Sequence, residues 1–397
     1  MNKYYQSSAD VKKTLGAITG TSPEDWFLVF RARAGMEIVF GALRDVRGSG
    51  QVVTQAYTCA TAVNPIISAG LIPRYADISP TSIAIDPELV EVPSDLRALV
   101  AQHTFGIIDE EATAALSRIA HDAGAILVED SAHCVARMAK HRVTGEPLAD
   151  VSVHSFGVEK MLRTKFGGAI WLNPDMEDKR VRQAIAERLR NLTPPNMLVK
   201  MAAPAYLNEI RVFNRLPGRI AGPLKTIAER AGVFLPPIAQ RELVGQMDRS
   251  PLKPSQWTLE QMLSGLQHLS EIEQTRREAG AIYARELEGL IDIPARITKQ
   301  SALVRFPIYL TQDQLALGRD PEDLFDALTV AGFYPGRWYR PALFPGVKNA
   351  SVYHFDPGLK DLPQTKRLIA SAVNLPTLQN EEKTLGVCDV VRAWLDS

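Results

Sequence analysis

Only three cysteines occur in 397 residues, Cys59, Cys134 and Cys388. They are far apart, form neither a zinc-type spacing nor a disulfide framework, and leave a reducing cytoplasm as the expected compartment. Long hydrophobic runs are missing as well, and no window approaches a membrane span. Met1 to Tyr5 begins a polar stretch with no apolar segment behind it, so no secretory signal is expected. Charge of one sign is also lacking: 45 Lys and Arg balance 45 Asp and Glu, which removes bulk attraction to nucleic acid. Internal repeats and low-complexity tracts are absent, and nothing suggests a metal site. What remains is a chain long enough for two or three domains, each burying its own core.

Hydrophobic periodicity predicts helix over 35–43, strand over 52–56, helix over 59–69, and strands over 72–75 and 98–102. A helix over 110–122 and a short apolar strand over 125–129 follow. Strands over 151–156 and 169–172 flank the Phe166-Gly167-Gly168 turn. This βαβ alternation implies a mostly parallel sheet with helices on both faces. A long amphipathic run over 258–290 then joins a smaller C-terminal part. That part has a strand over 302–309, a helix capped by Asp320-Pro321 running to 331, and a closing helix over 363–373.

One stretch carries the chemistry. Asp130 falls at the carboxyl end of the apolar run 125–129, His133 lies three residues on, and Lys160 follows the strand that ends Ser155-Phe156. In open α/β sheets ligands collect at such strand ends. A lysine amine buried beside other cations is kept partly neutral, as imine formation with a carbonyl requires. The same residues have plainer roles available. Asp130 can cap a helix, His133 can be a satisfied core histidine, Ser155 can bond only to its own backbone, and Lys160 can be solvated, with Lys165 as an alternative amine.

In order and spacing, Glu129-Asp130-Ser131-Ala132-His133, Ser155-Phe156 with Lys160, and the glycine turn resemble the DegT/DnrJ/EryC1/StrS family, the fold type I sugar aminotransferases. The likeness extends to Gln55 through Thr61, Gly70 through Pro73 with Asp77, Gln102-His103-Thr104-Phe105-Gly106, residues 256–283 and Leu375-Pro376. It implies an α/β fold with a large PLP-binding α/β/α domain over 1–255 and a connecting helix with a small α+β domain over 256–397. It also implies pyridoxal 5′-phosphate as cofactor, a Schiff base on Lys160, Asp130 on the pyridinium nitrogen, and His133 near the phenolic oxygen or over the ring. Ser155 and the start of the helix at Gly35 and Met36 would take the phosphate, with Cys59 and His103 beside the ring. The implied activity moves an amino group from an amino acid, glutamate or glutamine, to a keto-sugar in a cytoplasmic homodimer. The acceptor would be nucleotide-linked or lipid-linked.

Departures leave other outcomes open. Met36 replaces a threonine hydroxyl, Cys59 replaces an aromatic, and the segment that reaches a neighbouring subunit has only Lys253 as a counterpart. Another PLP reaction such as dehydration is one alternative, although dehydratases of the family typically exchange the lysine for histidine. A non-catalytic, partner-binding descendant is the other. Between 180 and 230 the chain carries ten Lys or Arg against three Asp or Glu, broken by prolines, as part of a basic helical insertion at about 180–250. This reads either as helices packed on the core with solvated basic faces or as a lid or docking surface. In the loop 332–346, Arg337, Trp338, Tyr339 and Arg340 suggest an aromatic and cationic rim, or simple domain packing. Arg276 and Arg277 are expected to be solvated.

Overall fold

A computed structural model describes residues 3–397. In chain order the elements begin α1 (Lys3–Thr19), β1 (Trp26–Val29), α2 (Ala32–Arg47), β2 (Gln51–Gln55), α3 (Ala60–Ser68) and β3 (Ile72–Ala76). Next come β4 (Leu96–Gln102), α4 (Glu110–Asp122), β5 (Ile126–Ser131), β6 (Val151–Ser155) and β7 (Gly168–Leu172). The helices α5 (Lys179–Arg190), α6 (Met197–Arg215), α7 (Gly218–Arg230), α8 (Gln256–Gln267) and α9 (Leu269–Glu286) follow. The chain closes with β8 (Arg305–Tyr309), α10 (Gln312–Ala316), α11 (Pro321–Val330), α12 (Pro363–Ser371), β9 (Ala372–Pro376) and α13 (Glu381–Asp396).

Seven strands form one sheet in the order β1-β7-β6-β5-β4-β2-β3. Only β7 runs against its neighbours, so the sheet is mostly parallel. Its inner strands are buried on both faces, whereas the edge strand β3 exposes Ile72 and Arg74. Val52, Val100, Val128, Val153 and Ile170 pack against Met36, Val39, Phe40 and Leu43 of α2 and against α5. Val53, Leu99 and Leu127 pack against Leu116 and Ala120 of α4. Because side chains alternate along a strand, Gln102, Asp130 and Ser155 lie two residues beyond Val100, Val128 and Val153 on the α2 face. One face of the sheet thereby carries a polar row at its carboxyl edge.

Residues 305–376 contribute a separate antiparallel pair, β8 with β9. The run expected as one helix over 258–290 is two, because His268 leaves helical angles (φ −101°, ψ 6°) between α8 and α9. The expected closing helix stops at Ser371, and its last residues instead enter β9.

Glycine sets the seat of α2 on the sheet. A Cβ on Gly168 would lie 2.6 Å from the backbone nitrogen of Ala32, and one on Gly35 would lie 2.3 Å from Ile170 Cδ1. Only hydrogen allows the start of β7 to approach the first turn of α2 so closely. Gly168→Ala is expected to lose about 1–3 kcal/mol of stability through overpacking. Urea unfolding would show this as a lower midpoint at unchanged slope, and an unmoved midpoint would refute the steric account.

Candidate active site

The carboxyl edge of the sheet opens into a cavity of about 620 Å³. Its floor is the polar row already placed by strand alternation, and its wall is the amino-terminal turn of α2. That helix begins at Ala32, earlier than the sequence indicated, so Arg31, Ala32, Arg33 and Met36 line the cavity. Its unpaired N–H groups and dipole favour an anion there. Gly35 does not line the cavity: it faces Ile170 and serves the close seating of α2. Cys59, His103, Asp130, His133, Ser155 and Lys160 all do line it.

Lys160 follows β6 by five residues, in a turn that begins at Gly157; the residue is half-buried, with its amine end desolvated in the cavity wall. Burial lowers the affinity of its amine for a proton, against the opposing pull of the nearby Cys59 and Asp130. Its Nζ lies 5.4 Å from the ring centroid of Trp338, over the face of the indole. Lys165 also borders the cavity, but its Nζ donates to the Arg163 carbonyl at 3.4 Å.

Asp130 ends the polar row. One carboxylate oxygen accepts the Ala132 N–H at 3.0 Å, and the other accepts nothing from the described residues. Burial raises its pKa, with the charge of Lys160 only partly offsetting the effect. A buried carboxylate so poorly satisfied is a fitting partner for a cationic ring nitrogen.

His133 has a defined tautomer. Its Nδ1 accepts the backbone N–H of Phe105 at 3.0 Å, which leaves the ring proton on Nε2, 3.3 Å from the Tyr339 hydroxyl. Burial, with the charge of Lys160 added, holds its pKa well below the ordinary histidine value, so the ring is neutral. His133 stacks on Trp338 with centroids 5.1 Å apart and planes within 7°. Trp338 thereby brings an aromatic face to the cavity from the C-terminal loop. Arg337 and Arg340 do not form the expected cationic rim: both turn to Glu322 on α11, Arg337 Nε at 2.9 Å and Arg340 Nη2 at 2.8 Å.

His103 is committed to a second network. Its Nε2 lies 2.7 Å from Glu129 Oε1, and the same carboxylate accepts the Ala139 N–H at 2.5 Å and the Ser152 hydroxyl. Arg276 also departs from expectation. It is buried, and its guanidinium donates to the carbonyls of Val304 at 2.9 Å and Met161 at 3.2 Å and to Thr377 Oγ1 at 2.7 Å. It ties the turn carrying Lys160 to the segment leading into β8. Arg277 stays on its own helix, pairing with Glu273 at 3.6 Å and donating from Nε to Gln274 Oε1 at 3.4 Å.

The basic insertion roofs the cavity. Tyr206 and Ile210 of α6, with Leu235, Pro237 and Ile238, close it from above. Tyr206 meets Phe166 edge-on at 5.6 Å and stacks on Phe234 at 6.0 Å. Two arginines at the start of α2 grip the roof: Arg31 donates to the Pro236 carbonyl at 2.9 Å and Arg33 to the Pro237 carbonyl at 2.8 Å. Arg33 Nε also pairs with Glu242 at 2.8 Å. Sequence reasoning passed over Arg33, Tyr206 and Ile210. Arg33 could have been found from its place beside Ala34-Gly35-Met36, whereas nothing local marks which face of α6 covers a cavity.

These donors suit pyridoxal phosphate: a buried amine, a buried under-satisfied carboxylate, a neutral imidazole N–H and a helix amino terminus with a hydroxyl beside it share one cavity. Residues 31–194 match the profile of the DegT/DnrJ/EryC1/StrS aminotransferase family. The chain is 29% identical over 167 residues to the pleiotropic regulatory protein of Geobacillus stearothermophilus, covering 41% of each chain. It is 34% identical over 122 residues to the spore coat polysaccharide biosynthesis protein SpsC of Bacillus subtilis, covering 30% of this chain and 31% of SpsC. The match thus spans less than half of either curated relative. Its fold follows that of the sugar aminotransferase CalS13 from Micromonospora echinospora with a TM-score of 0.69 at 21% identity, over 98% of this chain and 91% of CalS13.

Proposed function

We propose that this chain, whose residues 31–194 match the DegT/DnrJ/EryC1/StrS aminotransferase family, is an aminotransferase of that family and transfers an amino group from glutamate or glutamine to the keto carbon of a sugar. The observation that carries this reading is the buried Lys160 amine in the same cavity as the under-satisfied Asp130 carboxylate. Bound pyridoxal phosphate would supply an aldehyde for amines to condense with and a ring that accepts electron density from the substrate carbon.

The protein's own groups do the rest. Lys160, its amine made more available by burial, would act as nucleophile and then as general base and acid, holding at Nζ the proton removed from the substrate carbon that bears the nitrogen. Asp130 would hold positive charge on the ring nitrogen. The His133 Nε2–H would be the donor for the ring oxygen, and Ser155 with the N–H groups of α2 and Arg33 would take the phosphate. Tyr206, Ile210 and Leu235 keep water from the cavity. The sugar acceptor follows the name borne by CalS13, and its carriage on a nucleotide or a lipid is part of the same proposal. The reading includes domains at 1–255 and 256–397, cytoplasmic location and a homodimer. Trp338, Tyr339 and Phe344 bring the second domain to the cavity wall.

Purified protein mixed with pyridoxal phosphate and gel-filtered is expected to keep a visible absorbance band that L-glutamate bleaches. A protein that retains no band would end the cofactor reading. A band that ignores both glutamate and glutamine would end the donor assignment alone.

A further inference from the structure

Helices α6 and α7 fold back on one another. Lys225 Nζ of α7 lies over the Phe213 ring of α6 at 5.6 Å, and Leu198 at the start of α6 abuts Gly232 just past the end of α7. The inner face of α6 buries Val199, Ala202, Ala203 and Tyr206. The outer surface is not polar in the usual way. Along α7, Ile220, Pro223, Leu224 and Ile227 recur at i, i+3, i+4 and i+7, which sets them on one stripe. That stripe faces solvent, with Ile220 44% and Ile227 62% exposed. On α6, Met197 and Met201 stand one turn apart and are similarly exposed.

The charges around this surface have one sign. Residues 197–230 contain six Lys or Arg and two Glu. Glu229 is engaged within the insertion, where Oε1 accepts the Gln240 N–H at 2.8 Å, and Glu209 is half-buried. At about 100° per residue, Arg219 and Arg230 fall together on one flank of the stripe. A second copy meeting this surface face to face would set cations against cations. A soluble anion would leave the apolar stripe in water.

We infer that the α6–α7 hairpin docks on the surface of an anionic lipid bilayer, with the stripe in the headgroup boundary and the flanking arginines on lipid phosphates. Among the described residues no helix is long and apolar enough to cross a membrane, so the hairpin lies on the surface. Because α6 carries Tyr206 and Ile210 into the cavity on its other side, docking sets the roof of the cavity against the lipid. The inference does not depend on the reaction assigned to the site.

The test is sedimentation of the full chain with phosphatidylcholine vesicles, with and without phosphatidylglycerol. Binding is expected only with phosphatidylglycerol, and weakening as salt rises. Ile220→Glu with Ile227→Glu is expected to reduce partition about 100-fold, and Arg219→Gln with Arg230→Gln about 30-fold. Both variants should unfold at the wild-type temperature, since all four side chains lie outside the core. Failure to sediment with phosphatidylglycerol vesicles would overturn the inference. So would equal sedimentation of the wild type and both variants, or light scattering in which the isoleucine variant alone loses an oligomer, which would assign the stripe to a second copy.

Discussion

Lys160→Ala is expected to lower the rate of amino transfer by about 10²- to 10⁴-fold, the range that a positioned proton carrier contributes, while leaving the fold intact. A merely structural lysine would give the opposite pattern. The burial that lowers the pKa of Lys160 makes its charged form unfavourable in the folded chain. For a group whose folded pKa is depressed, the folded state binds fewer protons than the unfolded one between the two pKa values, and stability rises with pH across that window. At neutral pH the protonated amine therefore works against folding. Lys160→Met, which keeps the stem and removes the charge, should unfold at the wild-type temperature or above in the absence of cofactor. Lys160→Arg should not rescue turnover, because a guanidinium remains protonated. A loss of stability in Lys160→Met, or turnover within tenfold of wild type in Lys160→Ala, would remove the lysine from the mechanism.

The site was legible where local pattern and chemistry coincide. Asp130 stands just past the apolar run 125–128 and Glu129, so its position at the end of a doubly buried strand could be read without knowing its neighbours. Strand alternation then brings Gln102, Asp130 and Ser155 to one face without any further information. Contacts between distant segments were not legible. Paired arginines on a long helix look solvated, and only the carbonyls of Met161 and Val304, far off in sequence, show that Arg276 is an internal tie. Arg337 and Arg340 look like a rim until Glu322 is seen to take both. The strand β9 is five residues long and gains its identity from pairing with β8, so its beginning was read as the end of a helix. The helix α1 escaped notice because it buries little besides Val11 and Leu15 on a mostly polar surface. The roof of the cavity was visible as a basic insertion but not as a roof, since amphipathic spacing specifies a face and not what that face covers.

Replacing Glu129, the residue beside Asp130, tests how the floor of the cavity is held. Strand alternation turns Glu129 to the face opposite Asp130, where its carboxylate is fully buried and acceptor to His103, Ala139 and Ser152. Burial alone would raise its pKa, yet the charge and hydrogen bond of His103, with the bonds from Ser152 and Ala139, hold it below the ordinary glutamate value. A depressed carboxylate contributes stability that is fully present above the unfolded pKa, about 4.3, and is lost as pH falls through the folded one. Glu129→Gln keeps the shape but aims an amide N–H₂ at groups that are themselves donors. The cost expected for breaking one partner of a buried pair is about 3–5 kcal/mol, visible as a lower urea midpoint at neutral pH. The variant should also lose part of the acid dependence that the wild type shows below pH ~4.3. Because His103 is anchored to Glu129 and borders Asp130 in the cavity, the same substitution should weaken retention of pyridoxal phosphate in the refolded protein. A variant as stable as wild type at neutral pH would show that the carboxylate is dispensable to the sheet. Full stability loss with unchanged cofactor retention would confine Glu129 to the core and separate His103 from the site.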